Sequence, residues 1–284
     1  MLESKVVKRL HVVPGLDTIG NGMSVAAHLI ADAACDDLIE AQQFASGNVD
    51  INTYDEIWVH SCWLPSVIKS CRRVVKAGNT LVCMPHGNLD PVRLRYHAWK
   101  KRLVGPFERW ALRKATRVVA TCGAEVEWIR TYEPRVGKVE IVDLKRFFNL
   151  PNLGVGALPN NRPLHLLYLG RQHPLKGLDC LEAAVKAIEG VELRVVSNAF
   201  GEEKEKVWEW CDVLVLPTLS ENFGLVIAEA LERGKRVITT DGAPAWGGGN
   251  DYGGRLVYLK GYRVGTEEYR IRVLKDAIGA QIGL

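Results

Sequence analysis

Two glutamates eight residues apart, Glu221 and Glu229, carry the densest chemical signal of this chain, inside VLVLPTLSENFGLVIAEALERGKRVITTDGAPAW (213–246). Glu221 stands in a short polar loop beside Phe223 and Gly224, and Glu229 falls within the apolar stretch that follows. A carboxylate on an apolar helix needs a partner, and a pair of ligand hydroxyls would supply one. The glycine that opens this stretch leaves backbone amides suited to a phosphate. The same spacing also fits an ordinary βαβ unit with one loop glutamate and one solvent-facing glutamate.

Two cations stand upstream. Arg171 and Lys176 lie in LGRQHPLKG (169–177), between an apolar run and a helical pattern. At the carboxyl edge of a strand, where open α/β sheets bind ligands, they would meet an anionic group. Two solvated loop cations are the plainer alternative, and His173 between them reads as a surface residue. His86 ends a strand in MPHGNLDP (84–91), followed by Asn88 and Asp90. Its place admits a ligand-facing role as readily as a structural one. After the first strand, VPGLDTIGNGMS (13–24) sets Gly20 and Gly22 on either side of Asn21, and both glycines permit close backbone approach to a ligand. This is no dinucleotide fingerprint, because Val25 stands where a third glycine belongs.

These side chains need a scaffold. Val213–Leu216 reads as a buried parallel strand stopped by Pro217, Leu225 begins a helix closed by Gly234, and Arg236–Thr240 is the next strand. The alternation recurs throughout, which predicts an α/β fold with parallel sheets. In the first half it places strands at Arg9–Val13, Glu56–His60, Thr80–Met84, Arg117–Thr121 and Val139–Val142. Helices are expected at Ser24–Ala34, Pro65–Ala77, Pro91–Lys114 and Ala124–Thr131. The second half adds strands at Leu164–Leu169 and Glu192–Ser197, and helices at Gly177–Ile188 and Gly201–Trp210. Residues 148–163, rich in Asn, Gly and Pro, read as a linker between a domain over 1–147 and a second over 164–264, with a helix over 265–284.

The run from Glu221 to Glu229, with its strand before and Gly-Ala-Pro loop after, resembles the Glu-x7-Glu signature of retaining glycosyltransferases of the family 4 type. Members of that family have the GT-B fold, two Rossmann-like domains with a cleft between them. The resemblance is strongest over 165–246, consistent over 80–131 and loose at the first glycine loop. It implies transfer of a sugar from a nucleotide-sugar to an acceptor hydroxyl with retention of configuration, in the assembly of a cell-surface glycan or glycolipid. Neither a metal nor a cofactor is implied. Glu229 would hold the ribose, Glu221 would lie against the donor sugar, and Arg171 and Lys176 would clamp the diphosphate. Asn222, Phe223, Gly224 and Leu225 would add the helix N-terminus. His86 would touch the donor sugar, Gly20 and Gly22 its phosphate, and Asn21, Asn88 and Asp90 the acceptor. The leaving phosphate would deprotonate the acceptor on the same face, so that Glu221 orients the sugar without attacking it. In such enzymes a C-terminal helix often crosses back to the first domain, as 265–284 would here. After Pro244 the chain departs from its relatives, since Ala245 separates Pro244 from Trp246 and glycines follow.

Composition sets the remaining bounds. At 284 residues, 47% hydrophobic and 25% charged, the chain reads as a soluble protein of two ordinary domains. No apolar run is long enough to span a bilayer, and MLESKVVKRLHVVPG lacks a signal-peptide core, so a cytoplasmic place is expected, with the inner face of the membrane as a second. Seven cysteines without a CxxC pair show no zinc spacing, and Cys62, Cys83, Cys180 and Cys211 read as small buried hydrophobes. A net charge of +4 is too small to call for a nucleic acid. From Arg93 to Arg117, however, nine Lys/Arg face one acid, Glu108, among Trp99, Leu103, Val104, Phe107, Trp110 and Leu112. This is either a basic amphipathic helix at an anionic membrane surface or a surface helix whose apolar stripe packs inward. Three further readings compete: a non-enzymatic module binding an anionic surface or nucleic acid through 93–117, a GT-B nucleotide-sugar epimerase, and a glycosyltransferase acting on DNA.

Overall fold

Runs of Val, Ile and Leu, four to six residues long and bounded by Gly, Pro and Asn, form parallel strands because both their faces are covered by helices. The computed structural model describes residues 7–18, 21–152, 154, 156–159, 161–197 and 199–283. Gly20, expected near a phosphate, lies outside them.

The chain divides into two compact units between Leu144 and Lys145. The first unit runs β1 (Arg9–Val13), α1 (Gly22–Ala34), β2 (Asp37–Glu40), α2 (Ala41–Ala45), β3 (Glu56–His60), α3 (Pro65–Ala77) and β4 (Thr80–Met84). It continues through α4 (Pro91–Arg95), α5 (Ala98–Lys114), β5 (Arg117–Ala120), α6 (Gly123–Tyr132) and β6 (Lys138–Ile141). Its strands lie in the order β2-β1-β3-β4-β5-β6. The second unit comprises β7 (Leu164–Leu169), α7 (Leu178–Val185), β8 (Val191–Val196), α8 (Gly201–Trp210) and β9 (Val213–Leu216). Then come α9 (Leu225–Glu232), β10 (Arg236–Thr240), β11 (Leu256–Leu259) and α10 (Glu267–Gly279). Its order is β11-β10-β9-β7-β8. Each sheet is doubly wound, with the strand order reversing between β1 and β3 and between β7 and β9. A ligand crevice opens at such points, outside the carboxyl ends of the strands.

The α/β expectation holds, with local departures. Pro91–Lys114 is two helices and not one, because His97 takes a left-handed conformation, φ 50°, that an α-helix cannot include. The helix expected at Gly177–Ile188 is shorter, preceded by a 3-10 turn at Pro174–Lys176. Strands β2 and β11 and helix α2, each only four or five residues long, are too short to show a period in the sequence. The stretch after the second unit begins is docked on that unit. Phe148 stacks on Phe223, Asn149 N–H donates to Glu232, and Arg255 donates to the carbonyl of Pro151. Helix α10, capped by the Thr266 hydroxyl accepting from Tyr269 N–H, packs on α7 of the same unit. Cys62, Cys83, Cys180 and Cys211 are buried, as their apolar neighbours suggested.

Candidate functional site

Three loops leave the carboxyl ends of β7, β9 and β10, and backbone contacts tie them together. Leu219 N–H and the Thr218 hydroxyl both donate to the Leu175 carbonyl, at 2.7 and 3.0 Å. Glu221 N–H donates to the Gly242 carbonyl at 2.7 Å, and the Thr240 hydroxyl donates to the Thr218 carbonyl. Glycine is required at two of these crossings. A Cβ on Gly177 would lie 2.1 Å from the Pro217 carbonyl oxygen, and one on Gly242 2.0 Å from that of Thr218.

This stitching brings Lys176 to Glu221. The Lys176 ammonium donates to Glu221 Oε2, each side chain being 16% exposed, and Asn222 N–H donates to Oε1 at 3.1 Å. Gly224, at φ 77°, then opens α9 without a side-chain cap, so the positive end of the helix stands beside the glutamate. A Cβ there would crowd Ile227 at 2.9 Å and Glu221 at 3.3 Å. Leu225 begins the helix, and Arg171 stands exposed on the neighbouring loop. The arrangement is an ammonium, a carboxylate and helix amides at the β7/β9 switch point, with a second cation close along the chain.

Glu229 is partly exposed, at 21%, and its Oε2 lies 2.7 Å from the Lys204 ammonium of α8. That oxygen is itself buried and makes no directional hydrogen bond among the described residues, so the ion pair neutralises its charge and leaves acceptor capacity open. Its partner in the structure is therefore a lysine of another helix, which no local pattern foretells. Beneath the loop, Phe223 is buried against Trp246, ring centroids 5.2 Å apart, and Trp246 Nε1–H donates to the Phe223 carbonyl. Trp246 thus supports the Glu221 loop despite the altered Pro-Ala-Trp order.

In the first unit, Gly22 is the first residue of α1 and Asn21 its N-cap. The Asn21 side chain accepts from Met23 N–H and donates to the carbonyls of Pro14 and Gly15, so its amide closes a turn. Asp90 is buried and caps α4, accepting from Val92 N–H at 2.8 Å. Asn88 donates to Ser61 Oγ and the Pro85 carbonyl. His86 is buried in a left-handed conformation, φ 54°. Its loop is held by Glu125, a buried carboxylate that accepts from Gly87 N–H at 2.5 Å and from Thr121 at 2.7 and 2.8 Å. Burial pushes the Glu125 carboxyl up, and these hydrogen bonds oppose the shift. No sequence signal distinguished Glu125 from any helical glutamate.

The basic segment divides its faces. Glu108, its one acid, is buried and accepts from Trp63 N–H at 3.1 Å, with burial pushing its carboxyl up. Trp99, Leu103 and Phe107, four residues apart on α5, are 63%, 68% and 45% exposed. Beside α5 lies a cavity of about 660 Å³ between Trp63, Leu94, Ala98, Lys101 and Tyr132. Among the described residues no helix is long and apolar enough to cross a membrane, and no group of three His, Cys, Asp or Glu side chains is placed to hold a metal.

Comparison with known proteins agrees with this layout. Residues 37–144 match a family model described as a glycosyl transferase 4-like domain, and residues 157–257 match that of glycosyl transferases group 1. Among curated proteins none matches. Solved structures share the fold. HepE of Anabaena in complex with UDP and glucose has a TM-score of 0.67 at 15% identity, covering 96% of this chain and 90% of its own. Sucrose-phosphate synthase of Thermosynechococcus elongatus has a TM-score of 0.67 at 15% identity, covering 97% of this chain and 96% of its own. A trehalose-6-phosphate structure from E. coli bound with UDP-2-fluoro glucose has a TM-score of 0.59 at 10% identity, covering 96% of each chain. Two glycosyl transferase family models on the two Rossmann-like units of a GT-B fold make this chain a glycosyltransferase of the GT-B type.

Proposed function

We propose that the second unit binds a nucleotide-sugar and that the chain transfers its sugar to an acceptor hydroxyl with retention of configuration. The meeting of Lys176 with Glu221 at the uncapped, glycine-opened end of α9 carries this reading. Lys176, Arg171 and the helix amides would take the charge that develops on the leaving diphosphate. Glu221, already engaged by an ammonium and an amide, is a poor nucleophile, which favours orientation of the sugar and return of the acceptor through the leaving phosphate. Glu229 would exchange part of its contact with Lys204 for the ribose hydroxyls. HepE, of the same fold, binds UDP and glucose, which makes UDP-glucose the first probe. No metal or cofactor takes part in this scheme.

A thermal-shift screen of nucleotide-sugars, UDP-glucose first, tests the reading, followed by an assay of nucleotide release and of the product anomer by NMR. Stabilisation by at least one nucleotide-sugar, lost in Glu229→Ala, is expected. Stabilisation by none would overturn it, and an inverted product would overturn retention alone.

The exposed row Trp99, Leu103 and Phe107, flanked by Lys100 and Arg102, favours a companion reading in which α5 meets an anionic membrane surface. The acceptor would then be a glycolipid or a membrane-linked glycan, and the site of action the inner face of a membrane.

A further inference from the structure

Cations gather around the cavity beside α5. Its volume is about 660 Å³, and Arg95, Lys101, Arg102, Arg109 and Arg113 border it, with no acid among the described residues that line it. Two of these charges are already met. Arg113 pairs with Glu133 at 2.7 Å, and Arg109 donates to the Tyr132 carbonyl, its guanidinium 4.1 Å above the ring of that residue. The others are not. Arg95 and Arg102 are exposed and have no acidic partner among the described residues. Lys101 is half-buried and donates to the Arg93 carbonyl, with its ammonium 5.8 Å from the centre of the Trp63 ring. Burial and the charge of Arg93 hold Lys101 below the usual lysine range. Like charges crowded in this way repel one another until an anion joins them, and nothing in the donor-binding scheme of the second unit uses them.

The walls between these cations are apolar and fixed. Trp63, at φ 71°, is pinned through both its N–H groups. Its main-chain N–H donates to buried Glu108 at 3.1 Å, and its indole N–H donates to the Asn88 carbonyl at 3.3 Å. The ring meets Tyr132 edge to face, centroids 5.6 Å apart. Gly105 leaves room beside it, since a Cβ there would lie 3.2 Å from the Tyr132 hydroxyl. An apolar space of this size encloses an organic body, and the cations at its border suit a compact anionic end. The unmet charges between Arg95 and Arg102 call for more than a single negative charge. A terminal phosphomonoester carries about −1.5 to −2 at pH 7, more than a phosphodiester headgroup offers. Trp99 and Leu103 are exposed on a neighbouring face of the same helix. A bilayer touching that face would therefore bring its headgroups to the border of the cavity.

We propose that this cavity binds a membrane lipid ending in a phosphomonoester, with Arg95, Lys101 and Arg102 holding the phosphate and Trp63 and Tyr132 enclosing the start of the apolar chain. The lipid is held as an anchor, and no bond of it forms or breaks. The proposal rests on the membrane reading of α5 for the source of the lipid, and on the geometry of the first unit alone for the site.

Dihexanoyl phosphatidic acid, a short-chain phosphomonoester lipid, tests the site without a membrane. Titration calorimetry of the full chain is expected to show saturable binding at one site, with dihexanoyl phosphatidylcholine and inorganic phosphate each weaker by about tenfold or more. Inorganic phosphate binding equally well would show an anion site with no use for the chain, and would overturn the proposal. Absence of binding by the short-chain lipid would overturn it too, even if vesicles rich in phosphatidylserine bind through the exposed row. Among phosphatidylcholine vesicles matched for surface charge, those carrying phosphatidic acid should bind more tightly than those carrying phosphatidylserine. Binding of the short-chain lipid with no binding to either vesicle would overturn the membrane source. Ala98→Trp, which fills the cavity, should abolish binding of the short-chain lipid and leave binding to phosphatidylserine vesicles. Arg95→Gln with Arg102→Gln should weaken the short-chain lipid by about tenfold or more and remove the preference for phosphatidic acid. Unchanged binding in that double variant would overturn the assignment, and because both side chains are exposed it decides the matter should Ala98→Trp fail to fold.

Discussion

Lys176 and Glu221, 45 residues apart in the chain, form an ion pair between the loops that follow two adjacent strands. The pair is mostly buried, so each charge depends on the other. Removing one partner leaves the other desolvated, at a cost of about 1–3 kcal/mol. Replacing both with apolar side chains of similar size removes that penalty. We therefore expect Lys176→Met and Glu221→Leu each to lower stability by about 1–3 kcal/mol, and the double variant to recover most of it. Sugar transfer is expected to fall by about a hundredfold or more in all three, because Lys176→Met leaves the charge on the leaving group less well met and Glu221→Leu leaves the donor sugar unoriented. Urea unfolding and nucleotide release, measured on the same preparations, separate the two roles. A double variant that is both stable and active would remove the pair from the site.

Gly177 controls whether that pair can form. Alanine there meets the Pro217 carbonyl oxygen at 2.1 Å and must also hold φ 68°. Backbone on both sides leaves no flexible side chain to give way, so Gly177→Ala should cost about 3 kcal/mol or more. Gly234, at φ 71°, provides the control, since its nearest heavy atom is Arg255 Nη1 at 3.8 Å. Gly234→Ala carries only the left-handed strain, about 1–2 kcal/mol. Equal urea midpoints for the two variants would show that the loops are free to separate.

The contrast between Glu221 and the buried imidazoles of His11, His60 and His86, which hydrogen-bond in file from Asp36, shows what local sequence pattern can carry. Glu221, Lys176 and the opening of α9 were legible because each follows its own strand within a few residues, and strand ends define where open sheets bind. The partners of Glu229 and His86 were not. Lys204 reaches Glu229 from a different helix, and Asp36, His11, His60 and His86 meet only because the strands order as β2-β1-β3-β4. No hydrophobic period encodes that order. Asn21 marks another limit, since an amide in a glycine loop suits a ligand and an N-cap equally, and its pattern does not foretell the cap that it forms. The break at His97 carries neither glycine nor proline, so helix signals ran across it.

The buried imidazoles of His11, His60 and His86 also make stability depend on acid. His86 titrates near 6.5 unfolded and at about 3 folded, so below pH 6.5 the unfolded chain binds the proton that the folded chain refuses. Its stabilisation is complete above pH 6.5 and is lost as the pH falls toward 3, by about 1.4 kcal/mol per pH unit. His11 and His60 act in the same direction. Glu108 and Glu125, pushed up by burial, act in the opposite one. The contribution of His86 is therefore read as a difference. Between pH 6 and 5, unfolding free energy from urea titration should fall less steeply in His86→Asn than in the parent, by about 1 kcal/mol per pH unit. Parallel slopes would mean that His86 is protonated in the folded protein.

Trp99, Leu103 and Phe107 give the basic segment an exposed apolar row. Their side chains are exposed at four-residue spacing, while Glu108, the charge that would repel an anionic membrane, is buried. Lys100 lies over the Trp99 ring at 5.4 Å and Arg72 over Phe107 at 4.8 Å, so cations and aromatic rings share one patch. Each basic residue brought to an anionic surface adds about 1 kcal/mol, a term that salt screens. Sedimentation with vesicles rich in phosphatidylserine should therefore show binding that weakens with added salt and is absent with phosphatidylcholine alone. Trp99→Ser with Leu103→Ser should weaken binding by about tenfold or more through lost apolar burial, with transfer to a soluble acceptor retained. Binding to neither vesicle would leave α5 as a surface helix, and the acceptor would then have to be delivered without help from a membrane.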